Sequence, residues 1–197
     1  MAAVAHEAHA PAQARPQVQI LPVRGLPIVA AIVVGIVVAI ATNSLWALDA
    51  FHVVGGGLWT GIDLFFGLVL GPILGRLSLP ARIELTARLM PKMVLIIPTL
   101  VTMTLAAGFQ LARHNGMLAA GYPQHAWVVA SMCVVAVMAV IAIGLLEPAN
   151  LAVLFEMRKP NPNGAVIEKL MKRFIYTAGI TGVMQIATLV IMTRLAS

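Results

Sequence analysis

AFHVVGGGLWTGIDLFFGLVLGPILG, residues 50–75, is the stretch whose reading decides the fold. It carries one imidazole and one carboxylate and is otherwise apolar, aromatic, glycine or a single hydroxyl. An α-helix needs roughly 20 such residues to cross the hydrocarbon core of a bilayer. A transmembrane β-strand needs only about 9–11, alternating in character, and no such alternation is present here. The stretch is therefore a membrane-spanning helix. At about 100° per residue, His52, Trp59 and Asp63 return to nearly the same face, so an imidazole, an indole and a carboxylate line one stripe. Ionisable groups at membrane depth are functional candidates by default.

Working outward, four further apolar runs at about 26–47, 93–112, 126–147 and 175–195 bring the reading to five spans. The chain of 197 residues is 60% hydrophobic and 10% charged, with a mean hydropathy of +0.95. Those values exclude an ordinary soluble domain. The fold class expected is all-α, a polytopic transmembrane bundle of five spans. Residues 1–25, rich in Ala, Pro and Gln, read as a disordered tail, and 26–197 as the transmembrane domain. The first span reads as a retained anchor, because no basic segment leads it as in a signal peptide.

Basic residues alternate between connections. Arg15 and Arg24 precede the first span; Arg76, Arg82, Arg88 and Lys92 follow the second; Arg158, Lys159, Lys169, Lys172 and Arg173 follow the fourth. Only Arg113 and Arg194 fall at the other end. The positive-inside rule then gives a cytoplasmic N-terminus and an outer C-terminus in a bacterial-type inner membrane. The net charge of +6 reflects loops facing anionic lipid, so no nucleic-acid partner is expected.

Residues 80–92 and 165–174 alternate apolar and charged side chains at helical spacing, as amphipathic lead-ins to the spans that follow. The fourth helix is expected to run past Glu147 to about Phe155, before KPNPNG at 159–164 forms a loop. Pro91, Pro98 and Pro148 are candidate kinks. The lone cysteine, Cys133, excludes a disulfide and a covalent haem attachment motif. No phosphate loop, dinucleotide fingerprint or zinc-protease helix is present.

Chemistry on this chain therefore falls to His, Asp and a bound group. His114 and His125 lie at the same membrane face as His52, an arrangement that suits bis-histidine ligation of haem b, or a copper site with Met117 or Met132. Gly55, Gly56 and Gly57 leave backbone bare beside His52, where a helix or a flat macrocycle can approach. Asp63 reads as part of a proton path, as a cation site or as the holder of an inward structural bond.

The pattern His52-x6-Trp59-x-Gly61, followed by an apolar run to GPIL, resembles the first core helix of the CopD-type and HemJ-type small membrane proteins. RLMPKMVLIIPTL (88–100) with AAGFQLA (106–112) is similar to the next helix of that family, with Lys92 at its entry. The resemblance implies a four-helix core with two long cytoplasmic extensions over about 47–195. It also implies either a haem b protein that oxidises protoporphyrinogen or a copper-handling protein. His52 is then the carried-over axial ligand, flanked by Gly56 and Trp59. His114 or His125, from the reading of the residues themselves, is the candidate second ligand; Lys92 is the carried-over candidate for porphyrin carboxylates, and Asp63 joins it as a candidate for catalysis. The Pro-Arg and Tyr-His of the HemJ helix are replaced here by LVLGPILGRL, so the ligand carries over better than the oxidase reaction. The function expected is a haem b redox protein, with quinone as electron partner. The alternatives are a copper-handling protein and an accessory subunit of a homo-oligomer or larger membrane complex. A transporter component using Asp63 and Glu147 is a further class.

Overall fold

A computed structural model describes residues 18–196, and all structural statements concern these. Five helices account for the described chain, which contains no strand: α1 (Leu26–Ala41), α2 (Leu45–Arg76), α3 (Leu79–His114), α4 (His125–Met157) and α5 (Gly164–Ala196). Each is long and apolar enough to cross a membrane, α1 together with the 3-10 turn Val23–Gly25 that leads into it. Val34, Val54, Leu68, Val140 and Val190 are among many exposed large apolar side chains. Water does not tolerate such a surface and lipid requires it. The chain is a multi-pass membrane protein.

α2 packs most extensively on α3; α5 packs on both α2 and α4, and the second half of α4 packs on α3. The four form a square bundle, and α1 lies against α2 and α3 outside it. The expected tail of residues 1–25 falls mostly outside the described residues; within 18–25, Val18 and Ile20 pack against the main core and Val23–Gly25 forms a 3-10 turn. The core proper is built from Trp59, Met90, Met138, Leu154 and Phe174, all almost wholly buried. Phe66 meets Phe174 edge to face with centroids 5.2 Å apart. Because lipid tails are as apolar as leucine, this packing and the interhelical hydrogen bonds stabilise the bundle, rather than water exclusion.

The amphipathic lead-ins are parts of continuous helices, since α3 begins at Leu79 and α5 at Gly164. The fourth helix runs to Met157, slightly beyond the expected Phe155. At 1.5 Å per residue the 33 residues of α4 reach about 50 Å, well past the ~30 Å hydrocarbon core. The first span is shorter than its apolar run suggested. It ends at Ala41, where Thr42 to Ser44 turn the chain and Asn43 adopts φ +49°. Asparagine tolerates that left-handed conformation, and the apolar Leu45 and Trp46 beyond it belong to α2.

Two segments are π-helical, Phe65–Leu70 in α2 and Ala142–Leu146 in α4, the second beside the candidate kink at Pro148. Each immediately precedes an X-Pro pair, Gly71-Pro72 and Glu147-Pro148. Proline has no N–H to offer the carbonyl four residues back and its ring crowds that carbonyl. For Pro72 and Pro148 those carbonyls belong to Leu68 and Gly144, inside the widened segments, where a π turn relieves the crowding. Pro91 and Pro98 behave differently, and α3 remains α-helical through both. Beside them the buried Asn150 side chain donates to the Met90 carbonyl at 3.2 Å and accepts from the Val94 N–H at 3.1 Å, its amide oriented by those partners.

Candidate functional site

The expected stripe on α2 faces inward. Trp59 and Asp63 are buried and His52 is half-buried. What surrounds Asp63 is set one turn further along, where α2 and α5 meet backbone to backbone. A methyl group added to Gly67 would stand 2.5 Å from the Gly179 Cα. Only glycine permits that approach. It brings the face of α5 that carries Thr181 and Gln185 onto Asp63.

Asp63 Oδ2 accepts hydrogen bonds from Thr181 Oγ1 at 2.8 Å and from Gln185 Nε2 at 2.9 Å. Asp63 is 1% exposed, Thr181 0% and Gln185 3%. The Trp59 indole approaches the same carboxyl, but its buried Nε1 lacks hydrogen-bond geometry to any partner. No cation appears among these contacts, so neutral donors alone satisfy the carboxyl. Thr181 Oγ1 also lies 2.9 Å from the Ala178 carbonyl and 3.1 Å from that of Thr177. One hydroxyl has one proton to give. When Asp63 is ionised, Thr181 donates to it; when Asp63 carries a proton, that proton can be donated to Thr181, which turns its own to the Ala178 carbonyl. Either protonation state is therefore satisfied without moving a heavy atom.

His52 lies near one end of the stripe, about 16 Å from Asp63 along the helix axis. Its Nδ1 is 2.9 Å from the Thr104 carbonyl of α3. A carbonyl only accepts, so Nδ1 carries the proton and Nε2 is the basic nitrogen. Gly108 makes room for the ring, since a Cβ there would fall 2.5 Å from His52 Cε1 and 2.6 Å from Nδ1. An imidazole whose Nδ1–H is held by a backbone carbonyl has the orientation and basicity of a metal-ligating histidine.

The other expected site residues lie on α2, α3 and α4. His114 is the exposed last residue of α3, six residues or about 9 Å along the axis from Gly108. His125 opens α4, half-buried, with a buried Nδ1 that lacks a hydrogen-bond partner. Gly56 faces α3, with room for a Cβ at 3.6 Å from Thr104 Cγ2, and serves helix packing. Trp59 belongs to the packed core rather than to a cofactor face. Lys92 is exposed on α3. Glu147 is half-buried one turn before Asn150, with its Oε2 buried and unpartnered. Among the described residues no group of three or more His, Cys, Asp or Glu side chains could hold a metal ion.

Four residues that shape these two places, Thr104, Gly108, Thr181 and Gln185, were missed in the sequence. Thr181 and Gln185 did carry a signal: a hydroxyl and an amide at i, i+4 in an apolar span lie on one face and need polar partners. Thr104 acts through its main chain, which leaves no trace in residue type, and Gly108 acts through its missing side chain, which marks a close approach without saying what approaches. Comparison with protein-family models, with curated proteins and with solved structures finds no match to this chain.

Proposed function

We propose that this chain is a membrane redox protein that holds haem b through Nε2 of His52, with its N-terminus and basic loops on the cytoplasmic side of a bacterial-type inner membrane. The observation that carries the reading is the hydrogen bond from His52 Nδ1 to the Thr104 carbonyl, with the ring seated on Gly108. It fixes the tautomer and frees the nitrogen that a haem iron takes. The reading rests on this one imidazole, with His114 or His125 as the second ligand. When bound, the haem supplies one-electron transfer, and a membrane quinone is the electron partner that the resemblance implies.

The residues of the chain do the rest. Thr104 and Gly108 orient the ring. Asp63, on the same stripe of α2, accepts or releases a proton by exchanging hydrogen-bond direction with Thr181. Gln185 holds the carboxyl in place in both states. The test is a reduced-minus-oxidised absorption spectrum with a pyridine haemochrome assay on detergent-purified protein. Near-stoichiometric haem is expected in the wild type and its loss in His52→Ala. A colourless wild type, or a full spectrum in His52→Ala, overturns the reading.

A second reading is favoured by the Asp63 cluster alone: a proton-handling bundle without a cofactor. It expects a colourless protein in which Asp63→Asn abolishes proton uptake into vesicles while His52→Ala leaves it unchanged.

A further inference from the structure

The side of the bundle between α2 and α5 is open to lipid over part of its height. A groove of about 690 Å³ runs there, and its floor exists because side chains are missing. Gly67, Gly71 and Gly75 recur every fourth residue along α2, and Gly179 faces them from α5. Gly67 and Gly71 are closed over by α5, where an added Cβ would meet Gly179 and Ile175. Gly75 is different, with nothing within 4 Å of an added Cβ, so it leaves open space at the basic end.

The groove changes character along its length. On α5 it extends from Glu168 to Met184, sixteen residues or about 24 Å. One leaflet of a bilayer, with its headgroup zone, is about 20 Å thick. The deep end is apolar, walled by the exposed Ile180 and Val183. The other end is ionic. Arg82 of α3 reaches Glu168 at 3.1 Å, and Lys172 reaches the same carboxylate at 2.8 Å. Glu168 thus holds both cations at the mouth, and two cations against one carboxylate leave a net positive charge. Arg82 is mostly buried and donates its other terminal nitrogen to the Leu77 carbonyl at 3.3 Å, so it contributes charge to the mouth, whereas the largely exposed Lys172 ammonium has donors to spare. Tyr176, exposed one turn deeper than Lys172, lines the same groove where an amphipathic ring suits the interface.

The geometry points to a binding site for an anionic glycerophospholipid, with one acyl chain passing over the open Gly75 and along Ile180 and Val183, and the phosphate at Lys172 beside the charge of Arg82. Basic pockets between transmembrane helices select such headgroups, and each cation near the surface is worth about 1 kcal/mol, or roughly fivefold in affinity. The site is independent of the haem reading, since His52 does not line it.

The experiment is native mass spectrometry of the delipidated, detergent-purified protein titrated with phosphatidylglycerol and with phosphatidylcholine of the same chains. Phosphatidylglycerol is expected to bind about fivefold more tightly. Lys172→Gln should remove most of that preference, weakening phosphatidylglycerol more than phosphatidylcholine. Gly75→Leu should weaken both lipids several-fold by filling the groove. Gly57→Leu, on the separate groove beside Phe65 and Met93, should change neither. Equal binding of the two lipids by the wild type, or undiminished lipid binding in Gly75→Leu, overturns the proposal. A wild-type dimer that Gly75→Leu converts to a monomer of unchanged lipid affinity also overturns it, because the groove would then receive a second copy of this chain.

Discussion

At the scale of single residues, the contrast between His52 and Asp63 is one of partner type. His52 is tied to main chain, so no side-chain substitution at Thr104 removes the acceptor, and the ring is best disturbed through the space it occupies. Gly108→Ala places a methyl group 2.5 Å from Cε1, so the ring must move and the 2.9 Å bond to Thr104 must lengthen. We expect reduced haem content or a shifted Soret band in Gly108→Ala with the helical content kept; an unchanged spectrum would separate the ring's seat from haem binding. Asp63 is tied to side chains and can be dissected directly. Thr181→Val removes one interhelical hydrogen bond, for which about 0.6 kcal/mol is typical in membranes. Asp63→Leu also strands the Gln185 amide donor, a loss of about 1–3 kcal/mol, whereas Asp63→Asn keeps an acceptor and should lie between Asp63→Leu and the wild type. Denaturation of the three variants in one detergent checks the order.

At the scale of elements, α2 and α5 depend on two glycines that bear no chemistry. Gly67→Ala drives a methyl group into the Gly179 backbone, which cannot swing aside as a side chain would. Overpacking of this kind typically costs about 1–3 kcal/mol, and here it also withdraws Thr181 and Gln185 from Asp63. Gly57→Ala meets nothing within 4 Å and should stabilise by up to about 1 kcal/mol, because alanine is the better helix former. The opposite signs, read as thermal unfolding shifts, test the assignment of Gly67 to packing. The π segments belong to the same scale: each lies where a proline robs a mid-helix carbonyl of its donor, in the two helices that carry Asp63 and Glu147.

At the scale of the whole molecule, the helices divide the chain into a basic end, with the α2–α3 and α4–α5 connections, and an opposite end with the α1–α2 turn and the 115–124 loop. Arg82 and Glu168 join α3 to α5 at the basic end. The proposed orientation puts that end in the cytoplasm. After Cys133→Ser removes the native thiol, a membrane-impermeant maleimide should label Gly121→Cys in intact cells and leave Asn161→Cys unlabelled until the membrane is opened. The reverse pattern would invert the molecule.

Hydropathy and helical periodicity on their own determined the all-α bundle, the five spans, the lead-ins into α3 and α5, the loop after α4 and the inward stripe of His52, Trp59 and Asp63. These follow from local composition, because a bilayer requires each spanning segment to satisfy its own backbone and be apolar along its length. The end of α1 was hidden because Leu45 and Trp46 continue the apolar run past the turn. Only the tertiary structure decided what the stripe meets. Thr181 and Gln185 lie 118 and 122 residues beyond Asp63, and Thr104 lies 52 beyond His52. Those pairings depend on two helices approaching at Gly67 and Gly179 and on a ring fitting over Gly108, which is a matter of shape between distant segments and not of the character of either one.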